Sequence, residues 1–132
     1  MALKNILFCL LLMLVLAGCK HSLDQKLLAG KWKYIRLEHP NASPPDSLTT
    51  LVLEQANPSI EFGVDGTLMI KWDGKVLSHG TYHIDGDNIR FKEQLEGGKT
   101  REFPFYVSKL TDKELIFETT GEDGSKVSAV KE

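Results

Sequence analysis

The sequence predicts an all-β domain: an eight-stranded antiparallel up-and-down β-barrel preceded by a short N-terminal helical turn. The pairs Asp65-Gly66, Asp73-Gly74 and Asp85-Gly86 separate runs of β-favouring residues. Two-residue hairpin turns favour Asp-Gly because their central residues need positive φ, which glycine adopts without a Cβ clash. The runs themselves alternate apolar and polar side chains, which is typical of a sheet that packs on one face. Closing such a sheet into a barrel removes its unpaired edges.

Composition limits both the size and the class of the protein. The chain has 132 residues, enough for one domain, and a formal net charge of −2. Such a balance gives no basic stripe, so nucleic-acid binding is not expected. Its only cysteines, Cys9 and Cys19, both lie near the amino terminus. The rest of the chain therefore forms no disulfide and no thiolate metal site.

The first residues have the pattern of an export signal. Lys4 precedes an apolar run at 6–17, which is shorter than the roughly 20 residues that a membrane-spanning helix needs. A basic start followed by a short apolar run is typical of a secretory signal peptide. The run ends in Leu16-Ala17-Gly18-Cys19, which resembles the lipobox of bacterial lipoproteins. The alternative is a plain signal peptide that contains a cysteine by chance.

The lipobox resemblance implies a lipid anchor. It makes residues 1–18 a lipoprotein signal peptide, residues 19–27 a lipidated tether and residues 28–132 the folded domain. Cys19 would carry acyl chains such as palmitate, and several chains on one residue anchor a protein stably to a membrane. Lys20 follows this cysteine. By the same resemblance, that residue favours the outer membrane of the bacterial cell envelope, with the periplasmic or outer side left open.

The start of the domain carries a second resemblance. Leu27 and Leu28 suit a short helical turn, Gly30 can end it, and Trp32 begins the first predicted strand. Gly30-Lys31-Trp32 resembles the lipocalin signature, in which the tryptophan plugs the closed end of an eight-stranded barrel. The resemblance extends in outline over the mature chain.

One position departs from the lipocalin pattern. Lipocalins usually pack an arginine from the last strand over the signature tryptophan. The carboxy-terminal segment here contains Lys126 and Lys131 but no arginine. Two alternatives follow: a lysine side chain replaces the arginine, or the barrel closes differently.

The segment 39–59 interrupts the strand pattern. It contains four prolines, and proline disfavours central strands. We expect Asp46 or Ser47 to cap a short helix with its apolar face on Leu48, Leu51, Val52 and Gln55. The lipocalin resemblance places this segment as a lid over the barrel mouth. Asp46-Ser47-Leu48 also resembles an O-glycosylation acceptor of some envelope bacteria, with the sugar on Ser47.

Alternation predicts which side chains point into the barrel. The inward set contains most of the aromatic residues and, on single strands, runs such as Ile60-Phe62-Val64 and Val76-Ser78-Gly80-Tyr82-Ile84. These residues form either a packed core or the wall of an apolar cup, with a packed Trp32 end and an open mouth as the intermediate case. The predicted ligand-lining residues are Tyr34, Trp72, Ser78, Gly80, Tyr82 and Phe105. Ser78 and Gly80 would make room, and the tyrosine hydroxyls would orient a guest.

No constellation of catalytic residues is evident. His79 and His83 lie four residues apart on one predicted strand, so roughly 13 Å separates them, and both fall on its outer face. Asp85 and Asp87 flank a turn glycine and are better explained by turn chemistry than by calcium binding. We therefore expect no catalytic residues, no metal, no cofactor and no enzymatic activity.

Two functions remain. The leading hypothesis is a lipid-anchored, lipocalin-like binding module of the bacterial envelope, which holds a small apolar or amphipathic ligand in the barrel mouth and contacts the membrane through Cys19. The alternative is a protein-interaction module, an inhibitor or accessory subunit with a packed, ligand-free barrel and a protein partner that the sequence does not identify. A third hypothesis, an enzyme, would require a polar cluster on the inward face.

Overall fold

The computed structural model describes residues 22–121 and 123–132, so the predictions for the signal peptide and Cys19 lie outside the described residues. The described residues form two short helices, a 3₁₀ turn, eight barrel strands and one extra strand. In order these are α1 (Gln25–Leu28), β1 (Gly30–His39), β2 (Asp46–Ser47), α2 (Thr50–Ala56), β3 (Ser59–Phe62), β4 (Thr67–Trp72), β5 (Lys75–Asp85), β6 (Asn88–Gln94), a 3₁₀ turn (Glu96–Gly98), β7 (Thr100–Leu110), β8 (Glu114–Glu118) and β9 (Lys126–Lys131).

The strands close into a barrel. Each of β3 to β8 pairs antiparallel with the strand that follows it, β1 pairs with β3 on one side, and β9 returns to pair with β1 on the other. The two-residue strand β2 adds to the far end of β1 through Glu38↔Ser47 and His39↔Asp46. The predicted eight-stranded up-and-down barrel is therefore confirmed, with β2 as an addition.

The three predicted hairpins all form, but only one has the predicted turn. Asp73 and Gly74 both have positive φ, 54° and 74°, as a two-residue turn of the mirror-image type requires. At the β5–β6 turn the strands end at Asp85 and resume at Asn88, so the loop is shifted by one residue onto Gly86 and residue 87. The β3–β4 connection is longer, with the Gly63 N–H donating to the Thr67 carbonyl at 2.8 Å.

Two predicted inward residues point outward instead. Val64 is 86% exposed because it lies in the β3–β4 connection. Val76 is 50% exposed because the β4–β5 register shifts by one residue: Ile70 pairs with Ser78, but Lys71 pairs with Val76. The extra residue is a β-bulge, and beyond it the strand presents its opposite face.

The barrel is plugged at the end where β1 begins. Trp32 is fully buried, and its indole N–H donates to the Leu28 carbonyl at 2.8 Å, which fixes α1 against β1. The Lys131 Nζ lies 4.7 Å from the centre of the Trp32 ring and donates to the carbonyls of Leu27, at 3.0 Å, and Ala29. A lysine therefore takes the position that lipocalins give to arginine, which settles the alternative left open above.

Gly30 belongs to the same arrangement. Its φ is +127°, and a Cβ built on it would lie 2.8 Å from the Lys131 Cε. The glycine therefore allows both the backbone conformation and the close approach of the lysine. This is the physical reason for Gly30-x-Trp32 in the present chain.

Replacing Lys131 tests this plug. In Lys131→Met, two carbonyls lose their donor and the ring loses its cation, so we expect the free energy of unfolding to fall by about 1–3 kcal/mol. Lys131→Arg should lower the free energy of unfolding by less, because arginine keeps the positive charge and the N–H donors. Lys126→Met is the matched control, since Lys126 only approaches Glu118 at 3.9 Å near the surface. Equal losses in Lys131→Met and Lys126→Met, measured by urea unfolding, would contradict the assigned role.

The connection between β1 and β3 differs from the prediction in detail. The helix α2 begins later than expected, with Thr49 as its N-cap, and it buries Leu53 and Ala56. The predicted apolar face is wrong, because Leu51 is 64% exposed. β1 extends well beyond its pairs with the short strand β3. α2 contacts β1, and the Ala56 carbonyl accepts from the Asp73 N–H at 2.7 Å. The helix therefore lies beside the wall between β1 and the β4–β5 turn.

Candidate functional site at the barrel mouth

The mouth is the end of the barrel opposite Trp32, where β4 and β6 end and β5 and β7 begin. Burial differs between the two ends. Inward side chains around Trp32, such as Ile60 and Phe62, are 0–1% exposed. At the mouth the inward residues Leu37, Ile70 and Phe103 are only partly buried. Ile84 and Leu110, toward the closed end, are partly buried as well, so the two ends differ mainly in the fully buried plug around Trp32.

Below the mouth the interior is filled by aromatic rings. The ring centre of Phe105 lies 5.7 Å from that of Phe91, 5.4 Å from that of Phe103 and 5.1 Å from that of Phe117. The ring of Tyr34 meets Phe117 edge-on at 6.2 Å. These separations are those of rings in direct contact. The predicted lining residue Phe105 is 3% exposed and is part of the core.

Tyr82 lies at the closed end. Its hydroxyl accepts from the Gln25 Nε2 at 2.6 Å and donates to the Gly63 carbonyl at 3.0 Å. Burial raises the pKa of this hydroxyl, with the hydrogen bond from Gln25 acting in the opposite direction. The group that was predicted to orient a guest is thus already used to join α1 to the barrel.

Gly80 does not provide space for a guest. A Cβ at this position would lie 2.0 Å from the Lys92 carbonyl oxygen and 3.1 Å from the Glu93 Cα. The missing side chain therefore lets the backbones of β5 and β6 approach each other. Close strand packing therefore accounts for the glycine here, and its role as a ligand-lining residue stays a prediction. Ser78 is half-buried at the mouth, and its hydroxyl donates to Glu93.

Of the remaining predicted residues, Trp72 lies half-buried at the end of β4, where it pairs with Lys75. Tyr34 points inward and is 6% exposed. Burial raises the pKa of the Tyr34 hydroxyl well above its usual range. Ser47 is exposed on β2. The predicted lining residues are thus divided between the closed end, the core and the mouth.

Because the Tyr34 hydroxyl is buried, we expect the protein to lose stability at alkaline pH. An unfolded tyrosine ionises near pH 10, while the folded one stays protonated to higher pH. The unfolded state then binds fewer protons, so the free energy of unfolding falls as pH rises above about 10, by up to about 1.4 kcal/mol per pH unit for one group. Tyr34→Phe should flatten this slope between pH 9 and 11. An unchanged slope in urea unfolding series would contradict the assignment.

Two charged inward residues were missed by the sequence reasoning. Glu93 and Arg101 face each other in the β6–β7 register, with the Arg101 Nη2 2.6 Å from the Glu93 Oε1. The Glu93 side chain is only 13% exposed and also accepts from Ser78. The Arg101 guanidinium lies 5.2 Å from the centre of the Phe103 ring. Continuing the alternation by two residues, from Phe91 to Glu93 and from Phe103 back to Arg101, would have found both.

This polar cluster borders an open cleft of about 500 Å³. We call it the mouth cleft; its lining residues are Arg101, Glu102, Phe103, Pro104, Thr119, Thr120 and Asp123. It lies where the β7–β8 ladder has ended, because the last pair in that direction is Tyr106↔Glu118. Pro104, two residues earlier, lacks the N–H that a further pair would need.

Comparison with known proteins adds no identification. No family model matches the chain, and no curated protein matches it. The lipocalin resemblance therefore depends on Gly30, Trp32 and the barrel itself.

Other kinds of site find little support in the described part of the chain. No group of three or more His, Cys, Asp and Glu side chains there could hold a metal ion. His79 and His83 are both exposed, as predicted. The His39 Nδ1 lies 2.7 Å from the Asp46 Oδ1, where it joins β1 to β2. Within residues 22–121 and 123–132, no helix has the length and apolar character to cross a membrane.

Proposed function

We propose that the chain is a lipid-anchored protein-interaction module of the bacterial envelope, with a packed barrel as its scaffold. The observation that carries the proposal is the filled interior. The Phe105 ring contacts those of Phe91, Phe103 and Phe117, and Phe91 also contacts Phe103. The Tyr82 hydroxyl is hydrogen-bonded within the protein itself. The interior of an eight-stranded barrel holds either side chains or one small ligand. Because side chains fill this one, we expect partners to bind the outer surface of the barrel.

Exposed apolar residues support this proposal. We call the following set the apolar rim: Leu51, Val52, Val76, Leu77 and Leu95, which are 40–66% exposed. They lie on α2, at the start of β5 and just after β6, all on elements at the mouth. Exposed apolar residues that gather at one end of a small protein are typical of an interaction surface, and we propose that role for the apolar rim; Ile35, Val64 and Tyr106 are also exposed but lie outside it.

The lipid anchor gives this surface a direction. The Leu23 N–H donates to the Gly86 carbonyl at 3.1 Å, so the chain enters the domain at the closed end, only four residues after Cys19. If Cys19 is acylated, the closed end lies next to the membrane and the mouth points away from it. Partners that approach from solution would meet the apolar rim first.

A small-molecule carrier is the second candidate. The specific observation in its favour is that Leu37, Ile70 and Phe103 face inward yet remain partly exposed. A shallow guest could cover these side chains while the Trp32 end stays packed. The Ser78, Glu93 and Arg101 cluster would then contact the polar end of such a guest.

Photocrosslinking in the producing cells tests the proposal. A photoreactive amino acid replaces Leu77 of the apolar rim, and Val64, which is 86% exposed near the closed end, serves as the matched control. We expect a discrete adduct of one protein at Leu77 and none at Val64. Acylation is measured separately, by metabolic labelling with an alkyne-bearing fatty acid. The Cys19→Ser variant should not take up the label and should no longer be recovered with the membranes. Equal crosslinking at both positions, or none at Leu77, would contradict the proposal.

A further inference from the structure

The amino-terminal half of β7 has an unpaired backbone edge. β7 pairs with β6 from Thr100 to Tyr106, but with β8 only from Tyr106 to Leu110. Within residues 22–121 and 123–132, no backbone hydrogen bond joins the residues from Thr100 to Phe105 to the segment after β8. Such an edge can accept an additional strand.

The direction of each backbone group can be assigned. The Val107 N–H donates to the Asp87 carbonyl across from β6. Successive residues of a strand point their N–H and C=O groups to opposite sides. Residues 101, 103 and 105 therefore point to β6, whereas Thr100, Glu102 and Pro104 point to the unpaired edge. Pro104 fits this assignment, because its missing N–H would otherwise break the β6 ladder.

The unpaired edge thus offers the N–H and C=O groups of Thr100 and Glu102 and the C=O of Pro104. These groups face the mouth cleft, whose other wall is formed by Thr119 and Thr120. Proline on an edge limits how far a partner strand can pair. The edge therefore suits a short extended segment and not a long sheet.

The charged side chains at the mouth cleft indicate what kind of partner segment could pair with the β7 edge. Arg101 is already paired with Glu93, whereas Glu102 and Asp123, both exposed, form no ion pair within the described residues. Lys92 lies opposite Glu102 in the β6–β7 register, but no ion pair within the described residues joins the two, so Glu102 and Asp123 give the mouth cleft its acidic side chains. Two copies of this edge would place Glu102 near its own counterpart, and like charges directly opposite destabilise a pair of strands. The charge disfavours self-pairing and favours a cationic partner.

We propose that the β7 edge at Thr100–Pro104 binds a short, extended, basic segment of a partner protein by strand addition. Main-chain hydrogen bonds to Glu102 and Thr100 supply the register, and a Lys or Arg near Glu102 supplies specificity. The inward side chain of the added strand would contact Phe103, which is partly exposed. The inference rests on the proposed function, since it assigns the protein partner a second contact at the mouth, beside the apolar rim, and the chemistry of that contact.

Synthetic peptides test the edge directly. The mature lipidated chain in detergent is titrated with a labelled peptide of alternating lysine and valine, with its glutamate–valine counterpart and with a lysine–valine peptide whose alternate amides are N-methylated. We expect the basic peptide to bind about tenfold or more tightly than the other two. Its binding should weaken with added salt, and it should slow hydrogen exchange of the Glu102 amide.

Two variants separate strand addition from general attraction. Glu102→Pro removes the N–H that faces the cleft but leaves the β6 ladder, and it should abolish binding while the far-ultraviolet circular dichroism stays unchanged. Glu102→Lys should reverse the preference between the basic and acidic peptides, whereas Glu54→Lys on the exposed side of α2 should not. Glu102→Lys also preserves the backbone donor, so it remains informative if Glu102→Pro fails to fold.

Several outcomes would overturn the proposal. These are equal affinity for the N-methylated peptide, undiminished binding to folded Glu102→Pro, no binding of any peptide, or a Glu102 amide already protected from exchange in the free protein. A specific crosslink at Leu77 together with any of them would leave the protein-interaction function intact and remove only strand addition. Loss of the Leu77 crosslink would instead remove the function on which the inference rests.

Discussion

Trp32→Ala is expected to lower the free energy of unfolding by about 3–5 kcal/mol, the usual loss for a buried tryptophan reduced to alanine. The side chain is fully buried at the closed end, its indole N–H holds the Leu28 carbonyl, and its ring lies under the Lys131 ammonium. Small domains have only about 5–15 kcal/mol of total stability. The urea midpoint should therefore fall strongly, and the variant should lie near the limit of folding.

Trp72→Ala is the matched control for this loss, because the other tryptophan is only half-buried at the mouth. Its expected loss is less than half of that of Trp32→Ala. Trp32→Phe keeps an aromatic ring but loses the N–H donor, so it should fall between the two and gives a measurable value if Trp32→Ala does not fold. Equal losses at Trp32 and Trp72 would show that the closed end is not the structural anchor of the barrel.

Phe105→Ala is expected to cost about 3–5 kcal/mol as well, because it removes a ring that contacts three other phenylalanines. Tyr106→Ala, one residue along the same strand and 44% exposed, should cost about 1 kcal/mol or less. Both losses of stability are measured from the urea unfolding midpoints, provided that the dependence of the unfolding free energy on urea is the same in the two variants. A loss at Phe105 as small as that at Tyr106 would mean that Phe105 lines an open cup, and it would favour the carrier.

Local patterns were sufficient to predict the architecture. Asp-Gly pairs and alternation specify antiparallel hairpins, and Gly30 with Trp32 marks the closed end, since these signals depend on neighbouring residues only. The alternation pattern places Val76 inside the barrel, but a β-bulge near Leu77 shifts the register and turns it outward. No residue type at that position indicates a bulge. The sequence could name Lys131 as a candidate for packing on Trp32. It could not show the contact itself, because that contact joins the first and last strands of the barrel.

The candidate site was less predictable, for a related reason. Gly80 looks like a gap in a list of inward residues, and only the position of the Lys92 carbonyl shows that backbone fills it. Tyr82 looks like a free hydroxyl until Gln25 and Gly63 are brought beside it. The unpaired edge of β7 follows from the lengths of two ladders, which the sequence indicates only through Pro104.

We propose that the barrel is a packed scaffold and not a carrier of small molecules. Native mass spectrometry of the mature chain, extracted gently from the envelope of the producing cell, tests it most directly. We expect the mass of the acylated polypeptide, alone or with a protein partner, and no small molecule that is lost on denaturation. A reproducible, stoichiometric small-molecule adduct that disappears when the barrel unfolds would contradict the claim, and it would identify the mouth as a ligand site.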